Sequence, residues 1–254
     1  MRDPNNLIKI PSNSGAISVL KIDYVPDFDI EDYDLFDTKD FKKYINDIEA
    51  CCRRSFEYKR MIKYFRENMD MNQCSFYENV NNIETSNIKI HIHHDPFSLY
   101  DIAIAVFNKR VAYQESLNVE LVSKEVIYLH YKLLVGLIPL SETVHELIHN
   151  NYLFVPCDLV LGDFNTFFSL YEPYIPPEQK EVLERIRQLT YTAYHDNSIL
   201  ESKQMYVEAS GCYKLPSLDE LKNKIENIVG FSNNQAYKDD EYDNNKLISP
   251  VTFI

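Results

Sequence analysis

The sequence predicts a mainly helical α+β chain, and three observations carry that reading. Apolar residues recur at helical spacing over much of residues 38–68, 97–134 and 176–193. Two short stretches, 16–24 and 87–94, alternate instead with a period of two. Only five glycines occur in 254 residues, and neither G-x-G-x-x-G nor a P-loop is present, which argues against a large nucleotide-binding fold built on glycine loops. The hydrophobic fraction of 45% suffices for a core, and 19 Tyr and 14 Phe with no Trp make that core aromatic.

Residues 1–40 read as irregular apart from a strand over Ala16 to Tyr24. Thr38 to Asn68 reads as one amphipathic helix with Thr38 as its N-cap. Phe41, Tyr44, Ile45, Ile48, Cys52, Phe56, Met61, Ile62 and Phe65 form its apolar stripe. The other face carries Lys42, Lys43, Arg53, Arg54, Lys59, Arg60, Lys63 and Arg66, the basic concentration of the chain. Two readings are open for it. It is a solvated face, or it contacts phosphate or an acidic partner, with Arg53, Arg54, Lys59 and Lys63 as the nucleic-acid-binding candidates.

Asn87 to His94 predicts a strand with Ile88, Ile90 and Ile92 on one side and Lys89, His91 and His93 on the other. Asp95-Pro96 ends it, because proline lacks the ladder donor. Phe97 to Asn108 and Val119 to Leu134 read as helices, and Gly136 to Leu140 as a short apolar strand or turn. Ser141 then caps a helix that carries His145 and His149. Residues 151–175 read as an aromatic, proline-containing connection, followed by helices over Pro176 to Ala193 and Leu218 to Ile228. From Phe231 onward the chain is polar and acidic. The expected organisation is an N-terminal region 1–86, a histidine-bearing core 87–155, a helical extension 156–230 and an acidic tail 231–254.

Six of the seven histidines fall between His91 and His149. His93-His94 ends a strand, and His145 and His149, four apart, share one helix face. Imidazole is the commonest protein metal ligand, so this clustering points to one divalent-metal site with acid–base chemistry nearby. His91, His130 and His195 read as structural histidines with satisfied rings. The net charge of -13 disfavours a surface coated for duplex nucleic acid. Five irregularly spaced cysteines with no C-x-x-C argue against a disulfide scaffold or a thiolate zinc site and point to reduced thiols in a cytosolic compartment. Residues 1–20 hold no apolar stretch of signal-peptide length, and no segment approaches the roughly 18 apolar residues of a membrane span.

A strand ending in His-His, then a short strand feeding a His-x-x-x-His helix, resembles the HNH (His-Me finger) endonuclease family. Its core is closest to the nuclease domains of DNase colicins. The matching residues are Ile-His-His-Asp-Pro-Phe-Ser at 92–98 and Gly-Leu-Ile-Pro-Leu-Ser-Glu-Thr-Val-His-Glu-Leu-Ile-His at 136–149. The resemblance implies a ββα-metal core with helical insertions and extensions, and metal-dependent hydrolysis of DNA phosphodiesters. His93, His145 and His149 would hold Zn, Mg, Mn or Ni, and His94 would be the general base. Two departures stand out. The family's middle Asn falls at Gly136, with Asn108 and Asn118 elsewhere. Also, 50 residues separate His94 from His145, which leaves room for two inserted helices, one of them bearing His130.

The same helix also reads His145-Glu146-Leu147-Ile148-His149, which resembles the H-E-x-x-H motif of zincin metalloproteases. There Glu146 would be the base and Glu172 or Glu201 a third ligand. The nuclease reading is preferred, because Pro139 and Ser141 start the helix just ahead of His145 and because the zincin reading leaves His93-His94 unused. The Asn-, Ile- and Tyr-rich composition suits an AT-rich genome, and with the finger-like core it implies a bacteriophage source. The expected partners are therefore DNA or a protein partner in phage assembly, and the expected location is the host cytoplasm or the virion. A third reading from another class is a non-catalytic assembly or interaction protein that keeps the finger as a structural metal site.

Overall fold

The computed structural model describes residues 7–13, 15–22, 33–77, 80, 88–150, 152–195 and 252–253. The helix expected over Leu218 to Ile228, Glu201 and most of the acidic tail lie outside the described residues. The chain is α+β and mainly helical, with two small antiparallel sheets.

In the first sheet β1 (Leu7–Pro11) pairs with β2 (Ile17–Lys21), Ile8 facing Leu20 and Ile10 facing Ser18. The short β5 (Thr252–Phe253) adds to the other edge of β2. β1 falls in the stretch 1–40 that the sequence predicts to be irregular apart from Ala16 to Tyr24. The segment nonetheless alternates, and pairing with β2 buries Ile8, Ile10 and Leu20 against α1 (Thr38–Arg54).

The long helix expected over Thr38 to Asn68 is two helices, α1 and α2 (Phe56–Asn68). Asp37, not Thr38, is the N-cap; its carboxylate accepts from the backbone N–H groups of Lys39 and Asp40. Ser55 breaks the run. Its backbone is extended (φ -60, ψ 149), its N–H donates to the carbonyls of Cys51 and Cys52, and its Oγ accepts from the N–H of Tyr58 at 3.1 Å. The break resets the helical phase. Phe41, Tyr44, Ile45, Ile48 and Cys52 are buried in α1, burial resumes at Tyr58, Met61 and Phe65 in α2, and Phe56 is left 71% exposed.

Between the two strands of the second sheet lie α3 (Leu99–Ala112) and α4 (Val119–Tyr131). A capping box opens α3, in which Ser98 and Asp101 satisfy each other's backbone donors. Asn118 is the N-cap of α4, and Asn108 is wholly buried and donates to the carbonyl of Tyr174, so neither takes the place of the finger family's Asn. Every residue from Ile102 to Asn108 is buried, so α3 is a central helix with apolar contacts all round. It packs on α1, on α4 and on α6 (Phe164–Tyr171). The segment 151–175, expected to be a connection, therefore contains a helix. Its N-cap is Asp163, whose Oδ1 accepts from Thr166, and its stripe of Phe164, Phe167 and Tyr171 closes the core. The last described helix is α7 (Pro177–His195).

Glu125 of α4 ties these helices together. Lys109 Nζ and Arg110 Nη1 each lie 2.8 Å from its carboxylate, and Tyr171 Oη donates to it at 3.0 Å. Burial would raise the carboxyl, but Lys109 and Arg110 outweigh it and hold the group below its ordinary range. A single buried cluster runs from Ile8 to Leu183 and joins all the helices to both sheets.

The second sheet is β3 (Ile90–His94) paired antiparallel with β4 (Leu137–Ser141), from Ile90 opposite Ser141 to His94 opposite Leu137. At its open end Asp95 donates its N–H to the carbonyl of Gly136 at 3.2 Å. A Cβ on Gly136 would meet the Asp95 carbonyl oxygen at 1.8 Å and Val160 Cγ1 at 2.6 Å, so no side chain fits where the finger family carries its Asn. Gly136→Ala is expected to lower the unfolding free energy by at least about 1–3 kcal/mol, seen as a lower urea midpoint at unchanged m-value. A variant as stable as wild type would refute the close approach of β3 and β4.

Candidate metal centre

Ser141 ends β4 and caps α5 (Glu142–His149), its Oγ accepting from the N–H of Val144. The helix therefore leaves the sheet without a loop and lies over β3 and β4. The two-residue period of β3 decides which histidines meet it. Ile90, Ile92 and His94 take the core side, while His91 and His93 take the side under α5.

His93, His145 and His149 come together there. Each offers a ring nitrogen, and the three atoms all lie within 4.8 Å of one another. The His93 ring centroid is 5.0 Å from His145 and 5.2 Å from His149, and Nε2 of His145 is 3.1 Å from Nε2 of His149. Two nitrogens about 2.0–2.1 Å from a common ion and roughly 100° apart would be separated by about this distance. Burial, then the neighbouring His145 and His149, pushes His93 down to about 3. His145 is lowered too, by burial first and then by His149 and His91. Metal ligation needs neutral imidazoles, and this environment favours the neutral form of His93 and His145. The residues present thus fit a divalent ion that prefers nitrogen donors.

His94 does not join this group. Its ring is 6% exposed on the opposite side of β3, and its Nε2 is 2.8 Å from Nε2 of His130 in α4. His130 is wholly buried, and its Nδ1 is 2.7 Å from the carbonyl oxygen of Val126. That oxygen only accepts, so Nδ1 carries the hydrogen, Nε2 of His130 is bare, and His94 Nε2–H donates to it. His130 is the satisfied structural histidine the sequence suggested. His91 is not: its ring stacks on His145, with centroids 5.1 Å apart and planes 20° apart, and its Nε2 is buried without a hydrogen-bond partner among the described residues. The strand alternation was the available signal for His91, since it puts positions 91 and 93 on one face.

The described carboxylates of the zincin reading, Glu146 and Glu172, do not join the cluster. Glu146 is exposed and, one residue beyond His145, is turned about 100° around the helix. Glu172 pairs with Lys180 Nζ at 2.8 Å. Of the basic candidates, Arg53, Arg54, Lys59 and Lys63 are all exposed along α1 and α2. Arg53 pairs with Glu49 and Lys63 with Glu67, each at 3.6 Å and one turn apart, and Arg54 Nε donates to the carbonyl of Ala50. Arg66 leaves this face, its Nη2 donating to the carbonyl of Ile90 at 3.0 Å and tying α2 to β3.

The buried pair makes stability depend on pH. Burial pushes His130 down to about 4, and burial followed by the nearby His130 pushes His94 well below its ordinary value. In the unfolded chain these rings take up protons near pH 6.5, so the unfolded state binds more protons between about pH 6.5 and pH 4. Stability is full above that window and falls as pH drops through it. With a chelator present, His130→Gln is expected to reduce the slope of unfolding free energy in this window by up to about 1.4 kcal/mol per pH unit. An unchanged slope would place the titrating groups elsewhere.

Among the described residues no helix is long and apolar enough to cross a membrane. A family model described as bacteriophage G278-like virion protein matches residues 12–211, a span that holds every element from β2 to α7 and the whole histidine cluster. That description names a virion protein, not the nuclease expected from the histidine motifs. No curated protein and no solved structure matches the chain. On the strength of a match over most of its length, the chain belongs to the bacteriophage G278-like virion protein family.

Proposed function

We propose that this chain is a non-catalytic assembly or interaction protein of the phage particle, in which a divalent metal on His93, His145 and His149 fastens α5 to the β3–β4 pair. The observation that carries this reading is the position of His94. A nuclease of the resembled type needs that imidazole beside the metal to take a proton from water. Here it is buried on the other side of the strand and occupied with His130. The virion family supports the same reading.

Nothing but imidazole contributes to the cluster among the described residues. Such a donor set suits zinc or nickel, whereas Mg and Mn prefer carboxylate, carbonyl and water oxygens. Bound there, the ion would supply cross-linking between β3 and α5. α5 has only eight residues, and Val144 is its one buried side chain, so it has little else to hold it.

Titration of the purified chain with zinc should raise its melting temperature, and His149→Ala should abolish that rise. Plasmid DNA and casein should both stay intact in the presence of Zn, Ni, Mn or Mg. Nicking that disappears in His94→Ala would overturn this reading in favour of the nuclease. Casein hydrolysis that disappears in Glu146→Gln would overturn it in favour of the protease.

A further inference from the structure

We infer that His91 is a fourth metal ligand, so that the centre is a closed site of four imidazoles. The inference rests on the metal reading above and deepens it. Three ligands leave a divalent zinc-like ion one short of the four that structural sites carry. A fourth donor supplied by the protein would come from a side chain close to the cluster. Among the described residues no cysteine, carboxylate or further imidazole lies within the same 4.8 Å reach of the three nitrogens. His91 lies next to it, two residues before His93 on the same face of β3, with its ring against His145.

The second observation is independent of that placement. Nε2 of His91 is buried and has no hydrogen-bond partner among the described residues. A buried polar nitrogen left unpaired costs on the order of 1–3 kcal/mol. A phenylalanine would stack on His145 equally well without that cost. A histidine here is explained if the nitrogen is used. The donor that the three-histidine site lacks and the partner that His91 lacks are then the same contact. The ring rests on His145, and a change of its χ1 or χ2 well moves Nε2 by several ångströms. Four protein ligands would close the ion to water and to a phosphate oxygen, which is the character of a structural site, not a catalytic one.

Zinc X-ray absorption on the wild-type chain reads the number of imidazoles directly and needs no substitution. Four imidazoles are expected. His91→Phe keeps a flat ring on His145 and removes the nitrogen, so it separates ligation from stacking. It is expected to weaken zinc binding, measured by competition with a chromophoric chelator, by at least about tenfold. It should also change the visible bands of bound cobalt(II), because an oxygen donor takes the place of an imidazole nitrogen. A wild-type site of three imidazoles with an oxygen, or a folded His91→Phe chain with wild-type zinc affinity and cobalt spectrum, would overturn the assignment. Uptake of zinc with three imidazoles sinks only the role of His91, whereas a wild-type chain that takes up no zinc sinks the metal centre itself.

Discussion

Successive side chains of a β-strand point to opposite faces, and in β3 this period of two separates histidines that are adjacent in the sequence. His93 and His91 face α5, and His94 faces the core. Each face then develops its own chemistry. On one side imidazole nitrogens converge with lone pairs available for an ion. On the other, a neutral pair shares one hydrogen bond and passes a second to the carbonyl of Val126. The histidine cluster under α5 cannot borrow His94 as a base unless β3 loses its pairing with β4 or its register slips by one residue.

That pairing depends on the helices between the strands. The 50 residues separating His94 from His145 hold α3 and α4, the most deeply buried of the described helices, and α1, α2 and α6 pack against them. α4 supplies His130 to the core face of β3. Both helices contribute to the ionic network at Glu125, where two cations and a tyrosine hydroxyl surround one carboxylate. Loss of one partner from such a buried group typically costs about 3–5 kcal/mol, because the remaining charge is left uncompensated. The network thus ties α3, α4 and α6 together. Gly136, just ahead of β4, lies against the carbonyl of Asp95, just past the end of β3.

An imidazole-only centre on so short a helix is well matched to a particle protein. It would add a cross-link where the apolar contact is small, since α5 buries only Val144. It would also leave the exposed faces of α1 and α2, with Phe56 and the four cations Arg53, Arg54, Lys59 and Lys63, free of the metal chemistry.

The sequence by itself determined the class of fold, most helices, the strand ending at Asp95-Pro96 and the Ser141 cap, because these follow from local periodicity and capping chemistry. It also determined that His145 and His149 share a helix face. It did not determine the break at Ser55, which shows only when Phe56 is seen exposed and the buried stripe resumes out of phase at Tyr58. It missed β1 and α6, whose short segments are stabilised by partners distant in the chain: Leu20 for Ile8, and Phe97 and the Glu125 carboxylate for Phe167 and Tyr171. For the histidines, spacing listed the candidates and tertiary structure sorted them. Only the packing of α5 over one face of β3, and of α4 against the other, put His91 with the cluster and His94 with His130. A side chain's chemistry depends on what the opposite element presents to it, and that is set by contacts between residues far apart in the chain.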